Sequence, residues 1–392
     1  MRFLRPKRVY LDYASATPPL SAALAAMNKA ESYVGNPGAI HSEGVVAKKA
    51  LEKAREQVAR ELACRARELI FTSGLTESNN LAVLGLARKL EVAGRMQGSH
   101  WIVSAIEHDA VLQSFAEVER LGGKVTHVDP DERGIIMPET VAHAVRPETV
   151  LVSVGWANNE IGVVQPLRDI SRAVREKNES TLMHSDAGQA PLYLPPHVHT
   201  LGLDMCSLGS NKLYGPHGIG ALYLSNRVDL TSLVVGGKQE RRLRAGTENV
   251  ALAVGFAEAV ACVGKERGRE AERLRALRNT LARGIATAIP ESVVNGDLKQ
   301  TLPHMLNISI PNVSSEYLVL ALDHAGVAIS TKSACREGEE SRSHVVQALA
   351  PKTRDDWRAQ NTFRFSLGRE TGVFDIGRAV RTLVKVLAQS RA

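Results

Sequence analysis

Residues 68–94 read ELIFTSGLTESNNLAVLGLARKLEVAG. The opening "ELIFTS" reads as a strand. A Ser-Gly turn follows, and a helix starts near Thr76 and continues through "TESNNLAVLGLARKLEVAG". The same alternation runs on down the chain. "HWIVSA" (100–105), "GKVTHV" (123–128), "TVLVSV" (149–154), "TLMHSD" (181–186), "DMCSLG" (204–209) and "GALYLS" (220–225) all read as strands, most of them bounded by Gly, Asp or Asn. "HDAVLQSFAEVERLG" is one of the helices between them. Strand–helix alternation predicts an α/β fold with a mainly parallel, seven-stranded sheet.

After about residue 250 the character changes. "ENVALAVGFAEAVACVGKERGREAERLRALRNTLARGIATAI" is a long helical stretch, one helix or two, increasingly charged toward its end. The remainder mixes strands ("HMLNISI", "TFRFSLG") with helices ("SEYLVLALDHAG", "FDIGRAVRTLVKVLAQ"). This divides the chain into a large α/β domain over 15–260 and a smaller α+β domain from 1–14 and 261–392. A chain of 392 residues suits two such units.

Composition excludes several classes. At 44% hydrophobic and 23% charged residues the chain is an ordinary globular protein. No apolar run reaches the length of a membrane span, and "MRFLRPKRVYLDY" lacks the apolar core and cleavage site of a secretory signal. Four cysteines, Cys64, Cys206, Cys262 and Cys335, form neither a CxxC pair nor a disulfide framework, so no metal site and a reducing cytoplasm are expected. The net charge of +7 fits a solvated surface, and no direct nucleic-acid partner is expected.

Three stretches carry chemistry. In "FTSGLTESNN" the N–H groups at a helix start form an anion site, with the Thr76 hydroxyl beside them; a plain helix cap is the ordinary reading. In "MHSDAGQAP", Asp186 ends a strand at the edge where α/β sheets bind ligands, and its carboxylate could hold a protonated ring nitrogen or simply cap a turn. In "SLGSNKLYGPHGIGALYL", Lys212 stands in a Gly-rich turn at another strand end rather than on an open surface. A lysine for a Schiff base, an acid for a pyridine nitrogen and an anion cup are the parts pyridoxal phosphate needs. The glycines match neither a dinucleotide fingerprint nor a P-loop.

"VYLDYASATPPL", "GNPGAIHSEG", "FTSGLTESNN", "EHDAV", "NNEIGVVQPL", "HSDAGQAP", "NKLYGPHGIGALYL", "GGKQERRLRAGTENV", "STKSAC" and "FRFSLGR" occur in that order. In this the chain resembles the NifS/IscS-like cysteine desulfurases, class V members of the fold-type I pyridoxal-phosphate enzymes. The resemblance implies that fold and roles for individual residues. Lys212 would bind the cofactor aldehyde and Asp186 the pyridinium nitrogen. His108 would stack on the ring and move protons. Asn159 and Gln189 would bond the ring's phenolic oxygen. Leu75 and Thr76 would cup the phosphate, with Gly209, Ser210 and Asn211 beside it. Thr247 would reach the phosphate of a neighbouring subunit, implying a homodimer. Arg364 would clamp the substrate carboxylate, since a guanidinium fork matches it, and Asn36 would join the substrate site.

The resemblance also accounts for Cys335, which sits in the polar stretch "ISTKSACREGEESRSHVV". In the family such a cysteine takes sulfur from L-cysteine as a persulfide, leaving alanine, and passes it to an acceptor such as an iron–sulfur scaffold or a tRNA-thiolation enzyme. Lys332 and Arg336 would lower the thiol pKa, whereas Glu337, Glu339 and Glu340 would raise it. Two departures stand out. Gly209-Ser210-Asn211-Lys212 replaces the family's Ser-Gly-His-Lys, exchanging a hydroxyl and an imidazole for Gly209 and Asn211, with Ser210 as the compensating hydroxyl. Lys332 stands where glycine is usual. The alternatives are a selenocysteine lyase, a class V aminotransferase that would not need Cys335, and a non-catalytic partner in sulfur trafficking.

Overall fold

The structure, a computed structural model, describes residues 8–331, 342–350 and 356–390. A two-residue strand, β1 (Val9–Tyr10), comes first. The strands β2 (Leu69–Thr72), β3 (His100–Ser104), β4 (Lys124–Val128), β5 (Thr149–Ser153), β6 (Leu182–Asp186), β7 (Met205–Gly209) and β8 (Gly220–Leu224) then build one sheet in the order β2-β8-β7-β6-β5-β3-β4. All seven strands legible between residues 68 and 225 are present. From β7 through β6, β5 and β3 to β4 every pairing is parallel. The hairpin strand β8 alone runs antiparallel, to β7 on one side and β2 on the other.

Side chains of this sheet alternate between two apolar cores, as the two-residue repeat of a strand requires. Ile70, Trp101, Val103, Leu151, Met205, Leu222 and Leu224 face one core. Leu69, Phe71, Ile102, Val152, Cys206, Leu208, Ala221 and Tyr223 face the other. The helices Leu75–Val92 and Asp109–Arg120 cover the first face. Helices Ser42–Glu61, Leu167–Lys177 and Val250–Ala288 cover the second. Strands buried on both faces explain why most read as near-continuous apolar runs.

The long helical stretch is a single helix of 39 residues, Val250–Ala288, begun by the Asn249 side chain accepting from the Leu252 N–H at 2.9 Å. No proline interrupts it, and the one glycine near its start, Gly255, faces Met27 and the Ala23 carbonyl of an adjacent helix at close range. Beyond it lie β9 (Val293–Val294), β10 (Met305–Ser309), β11 (Val327–Ala328) and β12 (Thr362–Ser366). A three-stranded antiparallel sheet has the order β12-β10-β9. β1 pairs in parallel with β11, Val9 opposite Val327, so the N-terminal segment joins the C-terminal part. Among the described residues no helix is long and apolar enough to cross a membrane.

Candidate active site

The C-terminal ends of the parallel strands open into a cleft of about 430 Å³. Such a crevice is where open α/β sheets bind ligands. Nine of the expected residues line it: Leu75, Thr76, His108, Asn159, Asp186, Gln189, Asn211, Lys212 and Arg364. They come from six separate stretches of chain.

Asp186 is the last residue of β6. Its Oδ1 accepts from the Gly188 N–H at 2.8 Å and its Oδ2 from Asn79 Nδ2 at 2.6 Å. Lys212 stands just after β7, and its Nζ donates to the Ala14 and Ser15 carbonyls at 2.8 and 2.6 Å. At the opposite wall the helix Leu75–Val92 begins behind Gly74 with no side-chain cap. No described residue accepts from the Leu75 or Thr76 N–H, which leaves orphan donors at the positive end of an 18-residue helix facing the cleft. Gly220 lets the hairpin strand approach this turn: a Cβ there would lie 2.7 Å from the Gly74 carbonyl carbon.

His108 caps the helix Asp109–Arg120, its Nδ1 accepting from the Ala110 N–H at 3.0 Å. That bond puts the proton of the neutral ring on Nε2. Gln189 reaches the cleft with its amide nitrogen engaged by the Ala14 carbonyl at 2.8 Å, and its buried Oε1 has no partner. Its amide keeps a second N–H beside the one given to Ala14, so it offers the cleft both a donor and an acceptor. Arg364, 2% exposed on β12, donates through Nη1 to the Asn159 carbonyl at 2.7 Å.

Of the other five expected residues, Ser210, Thr247 and Asn36 lie outside this lining, Gly209 borders it and Cys335 is not among the described residues. Ser210 is fully buried and points away from the cleft; a Cβ on Gly215 would fall against its hydroxyl, which has no partner. Ser210 opens the 3₁₀ turn Ser210–Lys212; Asn211 and Lys212 of that turn line the cleft, and Ser210 does not. Ser210 therefore supplies no replacement hydroxyl. At Gly209 a Cβ would stand 3.0 Å from Leu75 Cβ, so the missing side chain widens the anion cup. Thr247 lines a neighbouring pocket of about 250 Å³ with Arg244, Ser73 and Gly218. Asn36 is exposed on a loop, where its Oδ1 accepts from the Gly38 N–H at 2.8 Å. Cys335, with Lys332, Arg336, Glu337, Glu339 and Glu340, lies outside the described residues. The chain on both sides of it is tied to the cleft wall. Ser330 and Arg364 exchange backbone hydrogen bonds at 3.1 and 2.8 Å, and His344 Nε2 meets the Glu107 carbonyl at 3.0 Å.

Two cleft residues escaped the reading of the sequence. Asn79 is fully buried and holds Asp186, and a buried amide on an otherwise apolar helix face was its signal. Glu107, one residue before His108, is 5% exposed and accepts from the Gly155 N–H at 2.7 Å. Burial pushes its pKa up to about 8; the Asp186 charge adds to the rise, and the Gly155 hydrogen bond opposes it.

The cleft therefore gathers an amine, a fixed carboxylate, open helix N–H groups and a guanidinium, within an α/β scaffold. That set defines a protein built to hold an anionic aldehyde cofactor beside a carboxylate-bearing substrate. The chain belongs to the aminotransferase class-V family, whose profile matches residues 9–378. It is 36% identical over 386 residues to the cysteine desulfurase IscS of Dictyoglomus turgidum, covering 98% of this chain and 96% of that one. Its fold superposes on a NifS-like protein with a TM-score of 0.90 at 32% identity, covering 97% of this chain and 100% of the other. It also matches the structure of SspA in complex with cysteine, with a TM-score of 0.79 at 33% identity over 92% and 98% of the two chains.

Proposed function

We propose that the protein is a pyridoxal-phosphate-dependent cysteine desulfurase. It converts L-cysteine to L-alanine and hands the sulfur, held as a persulfide on Cys335, to an acceptor protein. The observation that carries this reading is the convergence of Lys212, Asp186, the Leu75–Thr76 N–H groups and Arg364 in one cleft. The residues present fit the cofactor: orphan donors await a phosphate, a fixed carboxylate awaits a ring nitrogen, and a lysine amine awaits an aldehyde. When bound, pyridoxal phosphate supplies an electron sink that acidifies the substrate α-proton and weakens its carbon–sulfur bond.

The chain's own groups then have distinct tasks. Lys212 would hold the cofactor by its aldehyde, and its amine would serve as the base for the substrate α-proton. Asp186 keeps a proton on the ring nitrogen, held in aim by Asn79 and Gly188. His108 lines the cleft where it would lie against the ring, and would carry protons through Nε2. Arg364 orients the substrate by its carboxylate. The Cys335 thiolate attacks the substrate sulfur; a sulfur–sulfur bond forms as the carbon–sulfur bond breaks, and the carbon takes a proton to become alanine. Anchorage of Ser330 and His344 at the cleft wall supports Cys335 as that nucleophile.

The active unit is a homodimer in which Thr247 and Asn36 serve the partner's cleft. Their positions outside this chain's own cleft support that, as do the exposed apolar side chains of Val34, Ile40 and Val235 on the same two loops. Residues 15–260 form the cofactor domain, and 1–14 with 261–392 the smaller one. Cysteine usage favours a cytoplasmic setting. Lys212→Ala tests the core of this reading. It should abolish alanine formation from L-cysteine and the cofactor's visible absorption shift on loading, and a variant that still turns over would end it.

A further inference from the structure

The guanidinium read as the substrate clamp is already engaged. Arg364 Nη2 donates to Asp12 Oδ1 at 2.7 Å and to Ser15 Oγ at 2.6 Å, while Nη1 donates to the Asn159 carbonyl at 2.7 Å. The Ser15 hydroxyl in turn donates to Asp12 Oδ1 at 2.9 Å, closing a three-membered ring of hydrogen bonds. Ser15 lines the cleft, and its N–H bonds the Asp12 carbonyl in a tight turn. The Arg364 side chain is 3% exposed and that of Asp12 20%. Arg364 Nε is buried with no partner.

A guanidinium grips a carboxylate best through two adjacent N–H groups. Both forks of Arg364 include Nη2, and Nη2 already has two acceptors. The pair is also electrically neutral, so Arg364 itself offers an incoming carboxylate no unbalanced charge. It gains a full grip only by displacing the carboxylate in residence.

We infer that Asp12, held by Ser15, is a specificity-determining residue: a resident carboxylate that competes with the substrate α-carboxylate for Arg364. The inference rests on the reading of Arg364 as the clamp. Its consequence is that a carboxylate alone binds weakly. Retention then depends on the amine that engages the cofactor, and the product carboxylate leaves readily.

The test is calorimetric titration of 3-mercaptopropionate into the cofactor-loaded protein. This probe has the carboxylate and thiol of cysteine without the amine. Asp12→Asn keeps an oxygen acceptor for Arg364 but removes the competing charge, and should lower the Kd by about fivefold or more. Ser15→Ala keeps the charge, frees one Nη2 N–H and should lower the Kd in the same direction, which keeps the test open if Asp12→Asn fails to fold. Kd values unchanged or raised in the folded variants overturn the inference, because a merely structural Asp12 would give that result. Arg364→Ala separates the two layers. If it binds the probe as wild type does, Arg364 is not the clamp and the substrate assignment fails with the inference. If it loses the probe while the Asp12 and Ser15 variants match wild type, only the inference fails.

Discussion

At position 107 a carboxyl group is buried at a strand end, against Gly155 and in the field of Asp186, with its pKa raised to about 8. The folded chain thus holds this proton more tightly than the unfolded chain, where the group titrates near its ordinary value of 4.5. The stabilisation it gives is full below that ordinary value and is lost as pH rises through about 8. Glu107→Gln should remove this dependence. Thermal unfolding followed from pH 5 to pH 9 should show wild type losing stability relative to the variant as pH rises; parallel curves would mean the group stays ionised throughout. Lys212 and Asp186 were marked by residue type and strand-end position, His108 and Arg364 only by family resemblance, and the fold brings all four to one cleft. Glu107 and Asp12 were not marked, since a carboxylate in a sequence does not reveal whether it faces water, a backbone N–H or a guanidinium. Ser210 was hard to place for a related reason: the 3₁₀ turn that follows β7 buries its hydroxyl while Asn211 and Lys212 line the cleft.

Among the elements, the turn Glu240–Arg242 has an unusual backbone. Three successive non-glycine residues there have positive φ, 42°, 59° and 67°. That conformation is costly for side-chain-bearing residues and persists only where other contacts enforce it. Here the enforcing contact is the Glu240 carboxylate, which is buried against Arg55 with two bonds of 2.7 and 2.8 Å and accepts from the Phe71 N–H of β2 at 2.8 Å. Arg55 also lies over the Phe71 ring, 4.7 Å from its centre. Together these pin the loop that leads to Arg244 and Thr247 against the strand that feeds the anion cup. Glu240→Ala leaves Arg55 buried without its partner and should cost about 3–5 kcal/mol in urea unfolding. A loss under about 1 kcal/mol would show the ion pair to be dispensable. The sequence gives no hint of this lock, because its members are 185 residues apart. The strands, by contrast, were readable in place: a strand buried on both faces leaves an uninterrupted apolar run between turn residues. Whether the stretch after residue 249 was one helix or two was not, since glycines at 255, 264 and 268 tolerate both.

For the whole molecule, the proposed homodimer is the property to test. Thr247 lies outside this chain's own cleft, and Val34, Ile40 and Val235 are exposed. Sedimentation of the cofactor-loaded protein should give a dimer, and Val235→Asp should shift it toward monomer while weakening pyridoxal phosphate binding. A wild-type monomer with full cofactor affinity would remove Thr247 from the site.

The central claim is that sulfur leaves L-cysteine by way of Cys335. The measurement that tests it most directly is quantifying alanine and sulfide together, from protein incubated with pyridoxal phosphate, L-cysteine and a reductant, beside Cys335→Ser. Equal amounts of both products, lost in the variant that still binds cofactor, are the predicted result. Products that persist without Cys335, or cofactor-loaded protein that yields neither, would contradict the claim, and the second outcome would point to transamination instead.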